Sequence, residues 1–510
     1  MAWYADDSSS CGNLLELYNW WNRLCLIGPS YGYNPNATKT VLIIKREQDL
    51  REYAERLFRP LGVQITTEGQ RHLGAVVGTP EYKEAYINKK VCKWVKDIQE
   101  LAEIAKDEPQ LAYSAFVKGI CHRWTYYMRT IPNIGKNLLP LEKTISETFL
   151  PALLGRPVSA FEREIMELPV RYGGLSITNP ARTSQREFNC SKQITEPLVQ
   201  LILQQDQDIK RLSLQDIDNK KADLKKEKED FLKTRYDILF GKADQKLRNH
   251  LSQAVEKGAS SWLTALPLKS LNYVLNKQEF QDSIQLRYGW SIKGMPTYCS
   301  CGEKNSVYHA MDCKLGGYVS MRHDSIRDTL AYFLREAKCK DVRIEPSLMP
   351  VNASLFKRRS NTQDEARLDI SAVGVYAPFE KTYFDVRVTH PNCKTNIFKP
   401  LAQVYAEHEK AKKDAYEERV RESEKGSFIP LIFSTSGGMG PMTSVLVKRL
   451  SEKISDNSYE ARSMVTNYIR TKIRFAILRS TLIALRRIRG RGKTMYHNIS
   501  MDNISIYKSI

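Results

Sequence analysis

The chain has 510 residues, 42% of them apolar, and carries 78 Lys and Arg against 58 Asp and Glu, a formal net charge of +20. That length predicts roughly three or four domains with room for sizeable cores, and the basic excess points to a polyanionic partner, nucleic acid first, with a basic surface kept for solubility as the alternative. Ten cysteines, of which only Cys299, Cys301 and Cys313 cluster, exclude a disulfide scaffold, and no uncharged apolar run reaches about 18 residues, which excludes a transmembrane helix.

The chain opens MAWYADDSSS, with Asp6 and Asp7 side by side after Trp3, Tyr4 and Ala5. No basic stretch precedes an apolar run, so no signal peptide is expected, and the location expected is nuclear or cytoplasmic, not secreted. An adjacent acid pair by itself marks only an exposed turn. After it, Leu14, Leu17, Tyr18, Trp21, Leu24 and Cys25 recur at helical spacing. This predicts an amphipathic helix with Asn13 as its cap and Gly28-Pro29 as its stop. GYNPNATKTVLII predicts a turn that carries Lys39 into a strand from Thr40 to Ile44, and RHLGAVVG a short strand pair or turn about Gly74. From Thr79 to about Arg156 apolar residues recur every three or four positions with Lys and Arg between, so helices are expected. RYGGLSITNP reads as a turn and a short extended piece. Residues 204–260 mix charges with few aliphatics and predict an exposed helix or helical linker. Apolar content returns by Phe280–Trp290, the edge of a new module.

Next, Cys299, Cys301, His309 and Cys313 form C-x-C-x7-H-x3-C. Three thiolates and an imidazole suit a tetrahedral, structural Zn²⁺, with no position left for water. Residues 316–337 predict a helix with Ile326, Leu330, Tyr332 and Phe333 inward. Two alternating arms follow, in which Leu368, Ile370 and Ala372 face one way together with Phe384, Val386 and Val388. Asp369 and Asp385 then share the opposite face of a hairpin. Two carboxylates so placed are costly unless a cation sits between them; acids that merely face solvent are the alternative. Pro400 to Gly426 predicts a long helix carrying Glu409, Lys412 and Lys413, and SFIPLIFSTSGGMGP a buried strand entering a glycine turn. Residues 461–493 hold ten Lys or Arg and no acid, with an apolar face of Ile469, Ile473, Phe475, Ala476, Leu478 and Leu482. A basic amphipathic helix packed on the preceding module, with RRIRGRGK as an exposed tail, is expected, for DNA backbone contact in preference to a nuclear-import signal or a membrane surface.

Tyr4-Ala5-Asp6-Asp7, the helix after it, the lysine turn and the Leu73-Gly74 hairpin together resemble the palm of reverse transcriptases. The resemblance implies a metal-holding role for Asp6 and Asp7, protonation of leaving pyrophosphate by Lys39, and a primer grip at Leu73-Gly74; residues 79–203 resemble the thumb and connection. The family's other metal-binding aspartate and its fingers have no counterpart before Tyr4. The expectation is therefore a C-terminal piece of a longer polyprotein, or a truncated copy, without polymerase activity of its own, its N-terminal polymerase portion lying elsewhere in the same polyprotein.

The order helix, strand, strand with Asp369, strand with Asp385, helix with lysine, strand resembles the PD-(D/E)xK restriction-enzyme-like fold. Taken with the Cys3His motif, Arg322-His323-Asp324 after it and the acid pair far before it, the chain resembles the C-terminal half of a non-LTR retrotransposon polyprotein. The implied activity is nicking of target DNA, the freed 3′ hydroxyl priming reverse transcription, with target DNA and element RNA as partners and no membrane. Implied roles are Mg²⁺ binding by Asp369 and Asp385, a third acid at Glu345, and an amine from Lys412 or Lys413, of which Lys413 is nearer the family spacing. The family's lysine two residues past the second acid is here Arg387, which cannot deprotonate, and its proline before the first acid is Leu368. Arg322, His323, Arg486, Arg487, Arg489 and Arg491 are expected to contact nucleic acid. The whole is an α+β multidomain chain: partial palm 1–78, helical thumb 79–203, charged helical linker 204–290, zinc knuckle 291–318, nuclease 319–460, basic helix and tail 461–510. The rival reading is a non-catalytic nucleic-acid-binding relic of such an element.

Overall fold

The computed structural model describes residues 2–4, 7–204 and 214–486, a mostly helical α+β protein with small sheets. The chain opens with β1 (Ala2–Tyr4), β2 (Asp7–Ser9), α1 (Leu14–Ile27), β3 (Val41–Ile43), α2 (Gln48–Phe58), β4 (Gln64–Thr66), β5 (Gly69–His72) and β6 (Ala75–Gly78). A helical run follows: α3 (Pro80–Asp107), α4 (Pro109–Lys118), α5 (Thr125–Thr130), α6 (Leu139–Thr144), α7 (Leu150–Leu154), α8 (Ala160–Glu167), α9 (Pro180–Gln204), α10 (Leu214–Lys242), α11 (Gln245–Ala254), α12 (Ser261–Thr264) and α13 (Lys277–Tyr288). The rest interleaves α14 (Val307–Asp312), α15 (Tyr318–Glu336), β7 (Lys340–Ile344), β8 (Ile370–Val373), β9 (Lys381–Thr389), α16 (Leu401–Arg419), β10 (Ser427–Ser434), α17 (Pro441–Ser458) and α18 (Arg462–Arg486). Two compact units result, residues 1–99, 122–145 and 179–224, and residues 100–121, 146–178 and 225–510. Among the described residues no helix is long and apolar enough to cross a membrane.

In the first unit β1 and β2 pair antiparallel, with Tyr4 opposite Asp7. α1 starts at the expected cap: the Asn13 side chain accepts from the Glu16 amide at 2.8 Å, satisfying an otherwise orphaned donor. Leu14 and Trp21 meet Leu42, Ile44, Ala54, Phe58 and Val63 in a small core. Cys25, expected inward, is exposed, because the core meets α1 at Leu14, Leu17, Tyr18, Trp20 and Trp21, in its first two turns. The Gly74 segment is the hairpin β5–β6, turned at Leu73 and Gly74, both at positive φ (46° and 82°), the backbone hand that matches strand twist. The turn's carbonyls are engaged by tyrosine hydroxyls, Tyr126 on Leu73 and Tyr86 on Gly74, the latter at 3.1 Å.

The second unit is built on a four-stranded sheet ordered β10-β9-β8-β7. β9 runs parallel to β10 and antiparallel to β8, and β8 antiparallel to β7. Parallel neighbours need a crossover, and α16 provides it. β7 is the edge, where Lys340, Asp341 and Arg343 discourage further pairing. One face, with Ile370, Ala372, Phe384, Val386, Leu431 and Phe433, packs under α15, α17 and α18. The other carries a smaller cluster of Leu368, Tyr383, Val420 and Phe428, with Tyr416 of α16 against it. Leu368 thus lies opposite the Ile370 face it was expected to share. Regular alternation begins only with β8; just before it, Leu368 N donates to Pro346 O at 3.2 Å and Glu345 N to Asp369 O at 2.9 Å, with Glu345 at φ 52°.

Residues 225–290, expected in an exposed linker, belong to this second unit. Leu239, Leu251, Trp262, Phe280 and Ile284 are buried, and Tyr236 and Phe240 stack on from Tyr172 at centroid distances of 5.7 and 5.5 Å. A few well-spaced aromatics suffice to dock a helix whose remaining face is charged. α18, expected to pack on the nuclease region through one apolar face, does pack there but is buried beyond that face: Val465, Ile469, Ile473, Phe475, Ile477, Leu478, Leu482 and Leu485 are all buried. Its cations end on loop carbonyls, Lys472 on Leu271 (3.1 Å), Arg474 on Ala259 (2.8 Å), Arg479 on Val274 (2.7 Å) and Arg486 on Lys293 (2.7 Å). Long alkyl stems let a basic residue cross an apolar layer in this way.

Candidate functional site

The Cys3His motif folds as its spacing suggests. Cys299 N donates to Glu303 O and Gly302 N to Cys299 O, each at 2.9 Å, a knuckle that uses the positive φ of Gly302 (92°). Ser306 caps α14 by accepting from His309 N at 3.1 Å, and Cys313 follows one turn after His309. Cys299 and Cys313 sulfurs stand 3.9 Å apart, and Cys301 Sγ lies 3.3 Å from His309 Nε2. All four ligand atoms fall within 4.8 Å of one another. A tetrahedral zinc with bonds of about 2.3 Å sets its sulfurs roughly 3.8 Å apart, so the set can hold a zinc ion. The Cys299 thiol is brought down to about 6: burial pushes it up, but the Cys301 amide, His309 and the other two cysteines outweigh burial, which favours the ligating thiolate. Among the described residues this is the sole cluster of three or more such side chains fit for a metal.

The second constellation lies on the α16 face of the sheet. Asp369 sits just ahead of β8, its amide on Phe384 O at 3.1 Å; Asp385 is in the middle of β9. Asp369 Oδ2 accepts from Val386 N at 2.5 Å and from His323 Nε2 at 3.1 Å. Asp385 is ion-paired with Lys412, whose ammonium lies 5.8 Å from the centre of the Tyr416 ring. The carboxyls of Asp369 and Asp385 are near enough for each to shift the other's proton affinity. Burial, then the neighbouring Asp369 charge, raises Asp385 to about 6 against the pull of Lys412. For Asp369 burial acts upward, but His323, the Val386 amide and Asp385 overcome it and the group is lowered. His323 is raised to about 9, chiefly by its hydrogen bond to Asp369. The acid pair is thus flanked by His323 on the Asp369 side and by Lys412 on the Asp385 side.

Of the expected site residues, Asp369, Asp385 and Lys412 come together. Lys413, nearer the expected spacing, forms no ion pair with either acid among the described residues, whereas Lys412 does. The side chain of Glu345 pairs with Arg327 at 2.5 Å and is half exposed, while its amide donates to Asp369 O at 2.9 Å. Arg322 is corrected: it is 2% exposed and donates to Met311 O at 3.1 Å, tying α15 to α14 where no phosphate reaches. His323, expected on nucleic acid, holds Asp369 instead. Arg486 is bidentate on Asp282, both bonds 2.7 Å. Asp7 and Lys39 are exposed, Lys39 in a single turn capped by Asn36. Asp6, Arg487, Arg489 and Arg491 lie outside the described residues. Sequence reasoning missed Arg327, four residues after His323 on α15, which bridges Asp324 (3.1 Å) and Glu345. It also missed His408, which meets Thr389 Oγ1 at 3.1 Å and is held neutral by burial and Arg387, near a pKa of about 4. The i, i+4 spacing of His323 with Arg327 and of His408 with Lys412 was the available signal.

A scan against protein-family models finds no match to this chain, and a search of curated proteins finds none.

Proposed function

We propose that this chain is the C-terminal half of a non-LTR retrotransposon polyprotein, and that its second unit nicks DNA with Mg²⁺ held by Asp369 and Asp385. The observation that carries the reading is the approach of two carboxyls, Asp385 buried and Asp369 partly buried, on adjoining extended segments. Like charges at that distance persist only with a proton or a metal ion between them. The succession α15-β7-β8-β9-α16-β10, with one acid ahead of β8 and the other inside β9, supports a PD-(D/E)xK-type nuclease.

A bound divalent ion would supply Lewis-acid polarisation of the scissile phosphate and a nucleophilic water. The chain's own groups do the rest. His323 keeps Asp369 ionised and fixes its orientation. Lys412, which is ion-paired with Asp385, would offer its ammonium to the phosphate oxygens. Arg387, exposed two residues along β9, supplies a fixed positive charge beside them. The Cys3His loop, tied to α15 through Arg322, braces the helix that carries His323.

The test is conversion of supercoiled plasmid to open circles by the purified chain with Mg²⁺. Asp385→Ala and Asp369→Ala are expected to abolish nicking, Lys412→Ala to cut it roughly 10²-fold, and Lys413→Ala to leave it near the unmodified rate. No nicking by the unmodified chain overturns the reading and leaves the nucleic-acid-binding relic.

A further inference from the structure

At the carboxyl ends of the parallel strands β9 and β10, between α11, α13, α14 and α18, lies a cavity of about 60 Å³. Carboxyl ends of parallel strands are where open sheets commonly bind ligands. By this measure one water needs roughly 10–15 Å³, so the cavity has room for a few waters or one small tetrahedral oxyanion.

Its lining is unusual in charge. Arg287 and Arg474 border it, at 8% and 7% exposure, and no Asp or Glu does. Arg474 gives Nε to Ala259 O at 2.8 Å, while its Nη1 has no partner in the protein. Arg287 gives Nη1 to Ser260 Oγ at 2.5 Å and Nη2 to Val170 O at 3.1 Å, and its Nε has no partner. Among the described residues neither guanidinium meets a carboxylate. His390, with Nδ1 on Thr435 Oγ1 at 2.8 Å, also lines the space, and its Nε2 is unpartnered, as is Thr481 Oγ1. Buried orphan donors are rare in folded proteins, and buried charge without a counter-ion is rarer. Water meets the hydrogen-bonding need but leaves two fixed positive charges uncompensated. An oxyanion meets both needs, because each guanidinium offers it an N–H that nothing else uses.

We propose that this cavity binds a phosphate-sized oxyanion that clamps α18 against the carboxyl ends of β9 and β10. The site is separate from the Asp369–Asp385 pair and does not depend on the nuclease reading.

The test uses the full chain, dialysed free of phosphate, and compares melting in sodium phosphate or sodium sulfate with sodium chloride at equal ionic strength. Either oxyanion is expected to raise Tm by about 3 °C or more, or the dialysed chain releases close to one phosphate on acid denaturation. Arg474→Met is expected to lose that gain, and Thr481→Val, close in shape and retaining the fold, to lose at least half of it. If Arg474→Met does not fold, Thr481→Val decides. The proposal is overturned by equal gains in all variants, which indicate surface binding to a basic protein, or by neither a gain nor a retained ion in the unmodified chain.

Discussion

At the residue scale, the groups that matter most are those whose charge the fold must neutralise. Glu256 is one: burial raises it to about 7 despite the Tyr405 hydroxyl donating to it at 2.7 Å. Its folded pKa exceeds the unfolded value of 4.5, so the penalty is absent below about pH 4.5 and complete above about pH 7. The unmodified chain is therefore expected to lose on the order of 2–3 kcal/mol through this group as pH rises across that window. Glu256→Gln should flatten the decline, read as Tm against pH. Asp282 is another, with its side chain 4% exposed and Arg486 as its counter-ion. Arg486→Met strands that carboxylate and should cost about 3 kcal/mol in denaturant unfolding. The Cys3His set was legible because all its members lie within one short local loop. The His323–Asp369 contact was not, since its partners are brought together by the sheet and nothing local in the sequence pairs them.

At the element scale, helix and strand order from α15 to β10 was legible from periodicity. Solvent access was not. α18 carries ten basic residues in or just beyond it and reads as amphipathic, yet apolar residues ring it on every side, the mark of an interior helix. Its stems cross the core and end on loop carbonyls. Ile473, 1% exposed among Phe333-side neighbours in the main core, is expected to cost 2–4 kcal/mol when changed to Ala, roughly the usual range for a buried isoleucine. Gly437 turns at φ 95°, and a Cβ there would sit 2.3 Å from Arg474 Cδ. Gly437→Ala should destabilise by on the order of 2–3 kcal/mol, read by denaturant unfolding. The irregular pairing ahead of β8 was likewise beyond strand alternation, because it depends on the positive φ at Glu345.

At the scale of the whole chain, composition spoke to class and charge but not to boundaries. The expected linker placed a border near residue 290, whereas the second unit gathers residues from 100 onward in three separate stretches, a non-contiguity that no local signal reveals. Zinc content is the chain-wide property with a direct check. One zinc per chain is expected by elemental analysis, and His309→Ala or chelation should lower the melting temperature of the unit that holds the motif, since structural zinc couples to folding.

The crossover through α16 and the late arrival of α18 bear on the order of synthesis. A ribosome delivers β8 and β9 long before the parallel partner β10, and later still the isoleucines that close the layer beneath them. Until then the sheet lacks the cover that α18 gives it, so a nascent chain interrupted before Ile477 is expected to leave the apolar face of β8 and β9 open to chaperones or proteases.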